Sequence, residues 1–580
     1  MSEPASDSGS LPSWMSLPNL FAWLLRGDVR ESCASAAGAT SFCSFLCWWA
    51  VFGFKEYPRA WSLTEAQADI LMEQVEVEGR YIPRILAYLL DIHPTLRSQI
   101  ALDKPGAPLD LLCWYRLWAP SIYPGLPALP YPLLEQTHIK LGKDVSQFAQ
   151  QVNAQTPLKQ SPSASKNVDE LRGKLVSSET LGWPPSATGR IGCHAISQAF
   201  GVNLIGFARA GFGLGEDLRC LALALDSADV PYSVIDAPHL NQDKFIHGEL
   251  DSHISQDLVY DISIYCMSPF DVASLLLEEG WNPFACRYKI GYLAWELPTF
   301  PPEWRPVLSL FDEIWANSKY CASSLARSTD VSVRSLDPTV DISPYEPYRG
   351  DDPRPEELKR PFRFVHPFDP YSSFARKNPV ATLEAFNRAF PDRNEPVELV
   401  FRINLSSAAE ADSMDENMRR LILASKVDRR IVISRGVLRR RDALNWIRES
   451  NCLVSPHRAE GFGRNIIEAL LLGASVLATG FSGCTDFLEI DEVIDWEPSD
   501  IPVNGYPFST GQWWANPDVA QLASKMRQLF EAHISDTATY VERRRRRAGQ
   551  ANRRYGRLTT GERYRAILES VFRNKFSLTE

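Results

Sequence analysis

The sequence predicts an α/β protein: two Rossmann-like halves in series, preceded by an α-helical domain built from two internal repeats. Three observations carry this. Asn203–Asp236 (NLIGFARAGFGLGEDLRCLALALDSADVPYSVID) reads as strand, glycine-broken turn, helix and strand. Ser455–Asp486 (SPHRAEGFGRNIIEALLLGASVLATGFSGCTD) repeats that order later in the chain. Near the start, LPNLFAWLLRGDVRES from Leu17 recurs as IPRILAYLLDIHPTLRS from Ile82.

A chain of 580 residues exceeds what one hydrophobic core organises, so several units are expected. A net charge of −10 argues against a nucleic-acid partner, whose binding field is normally positive. The eleven cysteines include no C-x2-C pair and no cluster with histidine, so no metal site is expected. Cys33, Cys43, Cys47 and Cys113 lie in apolar surroundings and read as small core residues, which makes reduced cytoplasmic thiols the expectation. The opening MSEPASDSGS is polar and acidic, the wrong character for a secretory signal.

The helical domain covers 1–145. Leu20, Trp23 and Leu24, and their counterparts Ile85, Tyr88 and Leu89, follow the i, i+3, i+4 spacing of a buried helical stripe. Cys47-Trp48-Trp49 aligns with Cys113-Trp114-Tyr115, and Tyr57-Pro58 with Tyr123-Pro124. Ser32–Phe54 carries no charge and nears the length of a membrane span. Its counterpart carries Asp103, Lys104 and Asp110, so a shared fold implies buried helices instead. The aromatics read as core, or as a docking platform for an acceptor glycan, a lipid carrier or a partner enzyme.

Residues 146–200 form a linker and lead-in; Asn153–Lys166 is polar and proline-containing, and Val168–Val176 suits a short helix. The first Rossmann-like half, 201–345, opens on strand Val202–Phe207. Gly211, Gly213 and Gly215 break the chain before a helix over Glu216–Ala228, and Val234–Asp236 is the next strand. Ile262–Cys266, Ile290–Ala294 and Glu313–Ala316 supply further strands. Such βαβ order predicts a parallel sheet with ligands at the strands' C-terminal ends. The second half, 346–535, follows a charged bridge and begins with strand FRFVHPFD at Phe362. It continues as helix Asn378–Phe390, strands Glu398–Ile403 and Arg430–Ser434, helix Arg441–Ser450, strand Cys452–Ser455 and helix Arg464–Leu472. Residues 536–580 are basic and helical; Arg543–Arg547 suits either contact with anionic lipid or a solvated helix.

The chemistry concentrates in the second strand–turn–helix. Gly461 and Gly463 let backbone approach a ligand closely, and a helix start is a site for phosphate. Glu460 and Glu468 bracket that turn, where carboxylates can grip hydroxyls. Phosphate beside hydroxyls suggests a nucleotide-activated sugar.

Ser455–Asp486 resembles the E-x7-E signature of retaining glycosyltransferases of the GT-B fold, particularly the large family 4 group (group 1). His366–Pro391 (HPFDPYSSFARKNPVATLEAFNRAFP) resembles that group's phosphate-binding loop and helix, and Asn203–Asp236 its opening strand, glycine loop and helix. GYLAWELP from Gly291, DEIWANS from Asp312 and WANPD from Trp514 are smaller matches in the same order. The resemblance spans roughly 201–530 and implies a GT-B fold with the acceptor-side domain first and the nucleotide-sugar domain second. In such proteins a C-terminal helix often crosses back to the first half, and Gly561–Phe572 is the candidate.

The resemblance also implies roles. Glu460 would hold the hydroxyls of the transferred sugar and Glu468 the nucleotide ribose. Lys377 and Arg376 would neutralise the leaving diphosphate; Tyr371 stands where relatives place an upstream arginine, and Arg402 is an alternative cation. Gly213 and Gly215 would approach the donor diphosphate or the acceptor, while Glu216 and Asp217 can equally cap the helix. Glu296, in a loop where many relatives carry histidine, would orient an acceptor hydroxyl or hold the loop. His457, Phe462, Arg464 and Thr485 join Gly461 and Gly463 as donor contacts, with His457 alternatively capping its own turn.

The implied function is a retaining, metal-independent, hexosyltransferase-type enzyme of polysaccharide biosynthesis, moving sugar from a nucleotide-diphosphate donor (UDP- or GDP-sugar) to a glycan, polysaccharide or lipid-linked acceptor. No D-x-D motif stands in a donor loop, and no cofactor is called for. The expected location is cytoplasmic, or peripheral at the inner membrane face through Arg543–Arg547. The alternative is a catalytically weak GT-B protein that binds glycan or scaffolds an assembly complex.

Overall fold

The computed structural model describes residues 12–33, 42–100, 102–104, 106–130, 132–137, 197–238, 248–350, 360–403, 416–436, 438–502 and 505–576. The chain divides into two compact units, Met1–Arg190 with Ala273–Pro283, and Ile191–Val272 with Phe284–Glu580. The expected linker at 153–166 and short helix at 168–176 lie outside the described residues.

The first unit is helical. α1 (Leu17–Leu25) and α2 (Gly27–Ser32) precede α3 (Phe42–Trp48), which passes into a π-helical turn at Trp49–Gly53. After α4 (Glu65–Met72) comes a hairpin, β1 (Gln74–Val77) with β2 (Arg80–Pro83), and then α5 (Arg84–Ile92), α6 (Pro94–Gln99) and α7 (Ala107–Leu117). Leu20 and Ile85, Leu24 and Leu89, Cys47 and Cys113, and Trp49 and Tyr115 are all buried. Trp49 donates its indole N–H to the Ser62 carbonyl at 3.0 Å, and Tyr115 its hydroxyl to the Pro127 carbonyl at 2.7 Å. The hairpin departs from the sequence reading, which gave this domain helices alone. Glu78 and Gly79 take positive φ (51° and 76°) and close a two-residue turn that pairs β1 with β2. Helix α5 therefore begins only at Arg84, after Pro83. Among the described residues no helix is long and apolar enough to cross a membrane.

The second unit holds both Rossmann-like halves. In the first, β3 (Ser197–Gly206), α8 (Gly213–Ser227), β4 (Tyr232–Asp236), β5 (Tyr260–Cys266), β6 (Tyr288–Leu293), β7 (Glu313–Ala316), α9 (Lys319–Ala326) and β8 (Ser332–Ser335) build a parallel sheet of order β4-β3-β5-β6-β7-β8. Its strands inside the sheet are near-continuous apolar runs because both faces are covered, whereas the edge strand β8 is largely exposed. In the second half the elements are β9 (Phe362–Phe368), α10 (Phe374–Lys377), α11 (Pro379–Ala389), β10 (Val397–Ile403), β11 (Ile431–Arg435) and α12 (Arg440–Arg448). They continue with β12 (Cys452–Ser455), α13 (Arg464–Leu471), β13 (Ser475–Thr479) and β14 (Val493–Ile494). That sheet is also parallel, ordered β11-β10-β9-β12-β13-β14. Two six-stranded parallel sheets in series are the GT-B arrangement the sequence predicts.

Each order reverses beside the first strand of its half, between β3 and β5 and between β9 and β12. Neighbouring loops part at such a reversal and leave a crevice at the strands' C-terminal ends. An antiparallel hairpin, β15 (Trp496–Asp500) with β16 (Trp513–Pro517), follows β14. Of the last three helices, α14 (Val519–Ser535) and α15 (Thr537–Tyr555) bury Leu522, Met526, Phe530 and Tyr540 in the second half's core. α16 (Arg557–Phe576) places Tyr564 and Leu568 in the core of the first. Gly561 makes that return possible: a Cβ there would lie 2.3 Å from the Ala224 carbonyl oxygen.

The arginine run is engaged largely within the chain. It lies on α15, where Arg544 and Arg547 are only 3% and 6% exposed. Arg547 pairs with Glu492 at 2.7 Å, Arg546 with Glu489 at 2.5 Å, Arg543 with Asp491 at 3.3 Å and Arg545 with Glu542 at 2.5 Å, while Arg544 donates to the Gly473 carbonyl. Charges neutralised inside the chain attract an anionic surface weakly, so these pairs lend the expected membrane contact through Arg543–Arg547 no support.

Candidate active site

The crevice between β9 and β12 gathers four of the expected residues. After β9, Ser373 caps α10: its hydroxyl accepts the Arg376 N–H at 3.2 Å and donates to the Gly505 carbonyl at 2.9 Å. α10 is one turn long and ends at Asn378, so Arg376 and Lys377 are delivered together. Ser373, Asn378 and Ser482 all have positive φ (70°, 54° and 70°). Three non-glycine residues in left-handed backbone around one crevice mark a site whose geometry is over-determined by its surroundings.

Lys377 Nζ lies 2.5 Å from Glu460 Oε2, and Arg376 Nη1 lies 3.6 Å from the same oxygen. Arg376 is buried and also donates to the carbonyls of Ala459 and Ser372. Burial alone would raise the Glu460 pKa, but Lys377 and Arg376 outweigh it and hold the carboxyl at about 2. Glu460 is therefore a fixed anion whose charge is answered by two cations from the neighbouring turn. Its own turn is pinned through the backbone: Glu460 N–H donates to Ser482 Oγ at 2.8 Å, and Gly483 N–H to the Glu460 carbonyl at 2.9 Å. A Cβ on Gly483 would meet Gly461 O at 1.8 Å, so only glycine fits there. Gly463, at φ 93°, caps α13, whereas Gly461 has room for a Cβ at ordinary contact distances.

Glu296 enters from the first half. Its Oε2 accepts the Tyr506 hydroxyl at 2.5 Å, and its Oε1 lies 4.0 Å from Arg376 Nη2. Ser318 Oγ donates to the Gly461 carbonyl at 2.6 Å, and Lys319 N–H to Asp486 Oδ2 at 2.8 Å, which ties the start of α9 to the signature turns.

A second cluster holds Glu468 and Arg464. Glu468 is 1% exposed and pairs with Arg440 at 2.7 Å; Arg440 also reaches Glu216 at 2.9 Å, and Glu216 meets Arg219 at 2.9 Å. Arg464 pairs with Asp217. Burial raises the Glu216 pKa, but Arg440, Arg219 and Arg464 together bring it down to about 2. Three arginines thus balance three carboxylates in a buried network joining α8 to α12 and α13. Glu216 and Asp217 are its members, not merely helix caps.

The remaining expected residues sit elsewhere. His457 is fully buried, between the Ser455 carbonyl at 2.9 Å, the Phe481 carbonyl at 3.3 Å and Cys484 Sγ at 3.4 Å. Burial holds it neutral, with a pKa of about 4. These contacts are those of the turn-capping alternative. Phe462 packs on Phe487 and Tyr555 at ring distances of 5.4 and 5.5 Å and is core. Arg402 donates to Ser434 Oγ at 3.0 Å and to the Gly436 carbonyl, which commits it to β11 and not to the Lys377–Glu460 pair. Thr485 bonds the Ser482 carbonyl within its own turn at 2.7 Å. Gly213 and Gly215 lie in the first turn of α8, which starts three residues before the expected Glu216. A Cβ on Gly215 would meet Ala210 O at 2.4 Å, so this glycine serves helix packing, while Gly213 faces open space.

Sequence reasoning gave no role to Tyr506, Ser318, Ser482 and Arg440. Ser318 and Ser482 lie inside segments that the resemblance covers, but their roles come from contacts and not from the motif: each of the four matters through a partner at least 22 residues away. Among the described residues no group of three or more His, Cys, Asp or Glu is arranged to hold a metal ion.

No protein-family profile matches the chain, and no curated protein matches it. Among solved structures it is similar to HepE of Anabaena in complex with UDP and glucose, at 13% identity over 64% of this chain and 100% of that one, with a TM-score of 0.45. It is similar to OtsA at 10% identity over 64% and 99% of the two chains, with a TM-score of 0.43. TarM of S. aureus, in complex with fondaparinux, alpha-GlcNAc-glycerol and UDP, matches at 13% identity over 54% and 55%, with a TM-score of 0.37.

Proposed function

We propose that the protein is a retaining, metal-independent glycosyltransferase of the family 4 type, moving a sugar from a nucleotide-diphosphate donor to a glycan, polysaccharide or lipid-linked acceptor. The observation that carries the reading is the Lys377–Glu460 pair, 2.5 Å apart with Arg376 beside it, at the crevice between β9 and β12.

Breaking the bond between an anomeric carbon and a phosphate oxygen leaves positive charge on the sugar and growing negative charge on the diphosphate. Preorganised cations and N–H groups lower that barrier most, because they need no reorganisation as charge develops. Lys377 and Arg376 stand ready for the diphosphate. Glu460, kept ionised by the same two cations, accepts hydrogen bonds from the transferred sugar's hydroxyls and faces the cationic carbon. Glu296, on the opposite half, receives the acceptor. In the retaining, front-face course the departing phosphate takes the acceptor's proton, so Glu460 forms no covalent intermediate. Glu468 holds the ribose once Arg440 yields. Release of nucleotide diphosphate from a sugar-nucleotide panel, without metal and with anomeric configuration followed by NMR, tests the reading.

One observation favours a second reading, the glycan-binding scaffold of low activity: Glu468 is already engaged by Arg440 and buried. Nucleotide binding without turnover supports that alternative.

A further inference from the structure

We infer that Tyr506 is a positioning residue for Glu296, fixing one carboxylate oxygen so that the other is presented to the attacking hydroxyl; this rests on the transferase reading. The phenol donates to Oε2 of Glu296 at 2.5 Å. Oε1 accepts no hydrogen bond among the described residues and lies 4.0 Å from Arg376. A carboxylate with one oxygen held and one open is a directional acceptor, and the same arginine links it to Glu460 at 3.6 Å.

Tyr506 is itself firmly placed. It lies between β15 and β16 of the second half, whereas Glu296 follows β6 of the first, so their bond exists only when the halves meet. Ser373 Oγ holds the Gly505 carbonyl next door at 2.9 Å, the Arg376 guanidinium stacks 5.8 Å over the phenol ring, and Trp295 meets the ring edge-on at 6.1 Å. Two residues on, Phe508 (φ 53°) packs against both Phe270 and Trp304 at 5.1 and 5.2 Å, and Gln512 accepts the Thr299 N–H at 3.3 Å. Strained backbone at both Ser373 and Phe508 is what a loop shows when side-chain anchoring overrides its preferred conformation. Burial raises the Tyr506 pKa, so the hydroxyl remains a donor at neutral pH.

The test uses the full chain with UDP-glucose and GDP-mannose as donors and water as acceptor, reading UDP or GDP release, alongside calorimetry with UDP and GDP. Tyr506→Phe removes only the donor atom. It should lower release at saturating donor by about 10-fold, leave nucleotide affinity within about 2-fold, and add nothing to the loss caused by Glu296→Gln in the double variant. Glu296→Asp, which draws the carboxylate away from the phenol without touching the loop, should reproduce the loss even if Tyr506→Phe fails to fold. Wild-type release in Tyr506→Phe, or losses that add in the double variant, overturns the inference alone. Wild-type protein that binds neither nucleotide and releases none overturns the transferase reading, and this inference with it.

Discussion

Arg440 grips Glu468 at 2.7 Å through Nη2 and, reaching Glu216 at 2.9 Å through Nε, joins the signature helix α13 to the start of α8 in the first half. The second glutamate of the E-x7-E spacing is therefore part of the bond that keeps the halves together. In the proposed reading a ribose at Glu468 would compete with Arg440 for it and so couple donor binding to movement of the halves.

Arg440→Ala leaves Glu468 and Glu216 buried with fewer cations. Removing one partner of such a buried pair costs about 3–5 kcal/mol, so a clear fall in denaturation midpoint is expected, larger than for Arg440→Ala with Glu468→Gln together. Chemical denaturation of the three proteins decides this; equal stability would mean that the network is solvated.

Lys377→Ala removes a charge-assisted bond of about 1.5–3 kcal/mol from the nucleotide's side, roughly a 10- to 150-fold loss of nucleotide-diphosphate release. Its fold should survive, since Arg376 still faces Glu460 at 3.6 Å. Circular dichroism and the release assay separate the two effects.

Acid should unfold the protein in two stages. His457 and His366 are held neutral by burial, at about 4 and about 3 against an ordinary 6.5. Folded values below the unfolded one mean that this stability is complete above pH 6.5 and declines as pH falls towards 4 and 3. Glu460 and Glu216, at about 2 against an ordinary 4.5, add a second loss that begins below pH 4.5 and continues towards 2. A stability profile that stays flat from pH 7 to 4 would contradict the histidine assignment, and Glu460→Gln should flatten the lower stage.

The glycines separate packing from ligand approach. Gly215→Ala should destabilise the protein, because its Cβ would meet Ala210 O at 2.4 Å. Gly213→Ala has open space and should hold or raise the melting temperature, by up to about 1 kcal/mol of helix propensity. If Gly213 borders the donor, that same variant weakens nucleotide binding while remaining stable.

Most of the fold was legible because parallel strands buried on both faces write themselves as apolar runs between glycine turns. Glu313–Ala316 and Cys452–Ser455 match their sequence-derived limits to the residue. Strand Ser332–Ser335 escaped, since at the sheet's edge SVRS lacks that apolar signature. The hairpin before α5 was masked by the repeat's helical spacing. At the site, Glu460 was readable from its glycine-broken turn, whereas Lys377 and Arg376 came only through the resemblance of His366–Pro391 to a phosphate-binding loop. His457 and Phe462 sat in the same motif yet went to the core, for a motif does not say which way a side chain faces. Tyr506 and Arg440 were invisible because their meaning lies in partners 210 and 28 residues away.

The most direct test of the central claim is calorimetric binding of UDP, GDP, ADP and TDP, without metal, to wild type and Lys377→Ala. The account predicts that the wild type binds one nucleotide selectively and that Lys377→Ala binds it about 10-fold or more weakly. Equal binding by the two proteins, or no binding by a well-folded wild type, would contradict it.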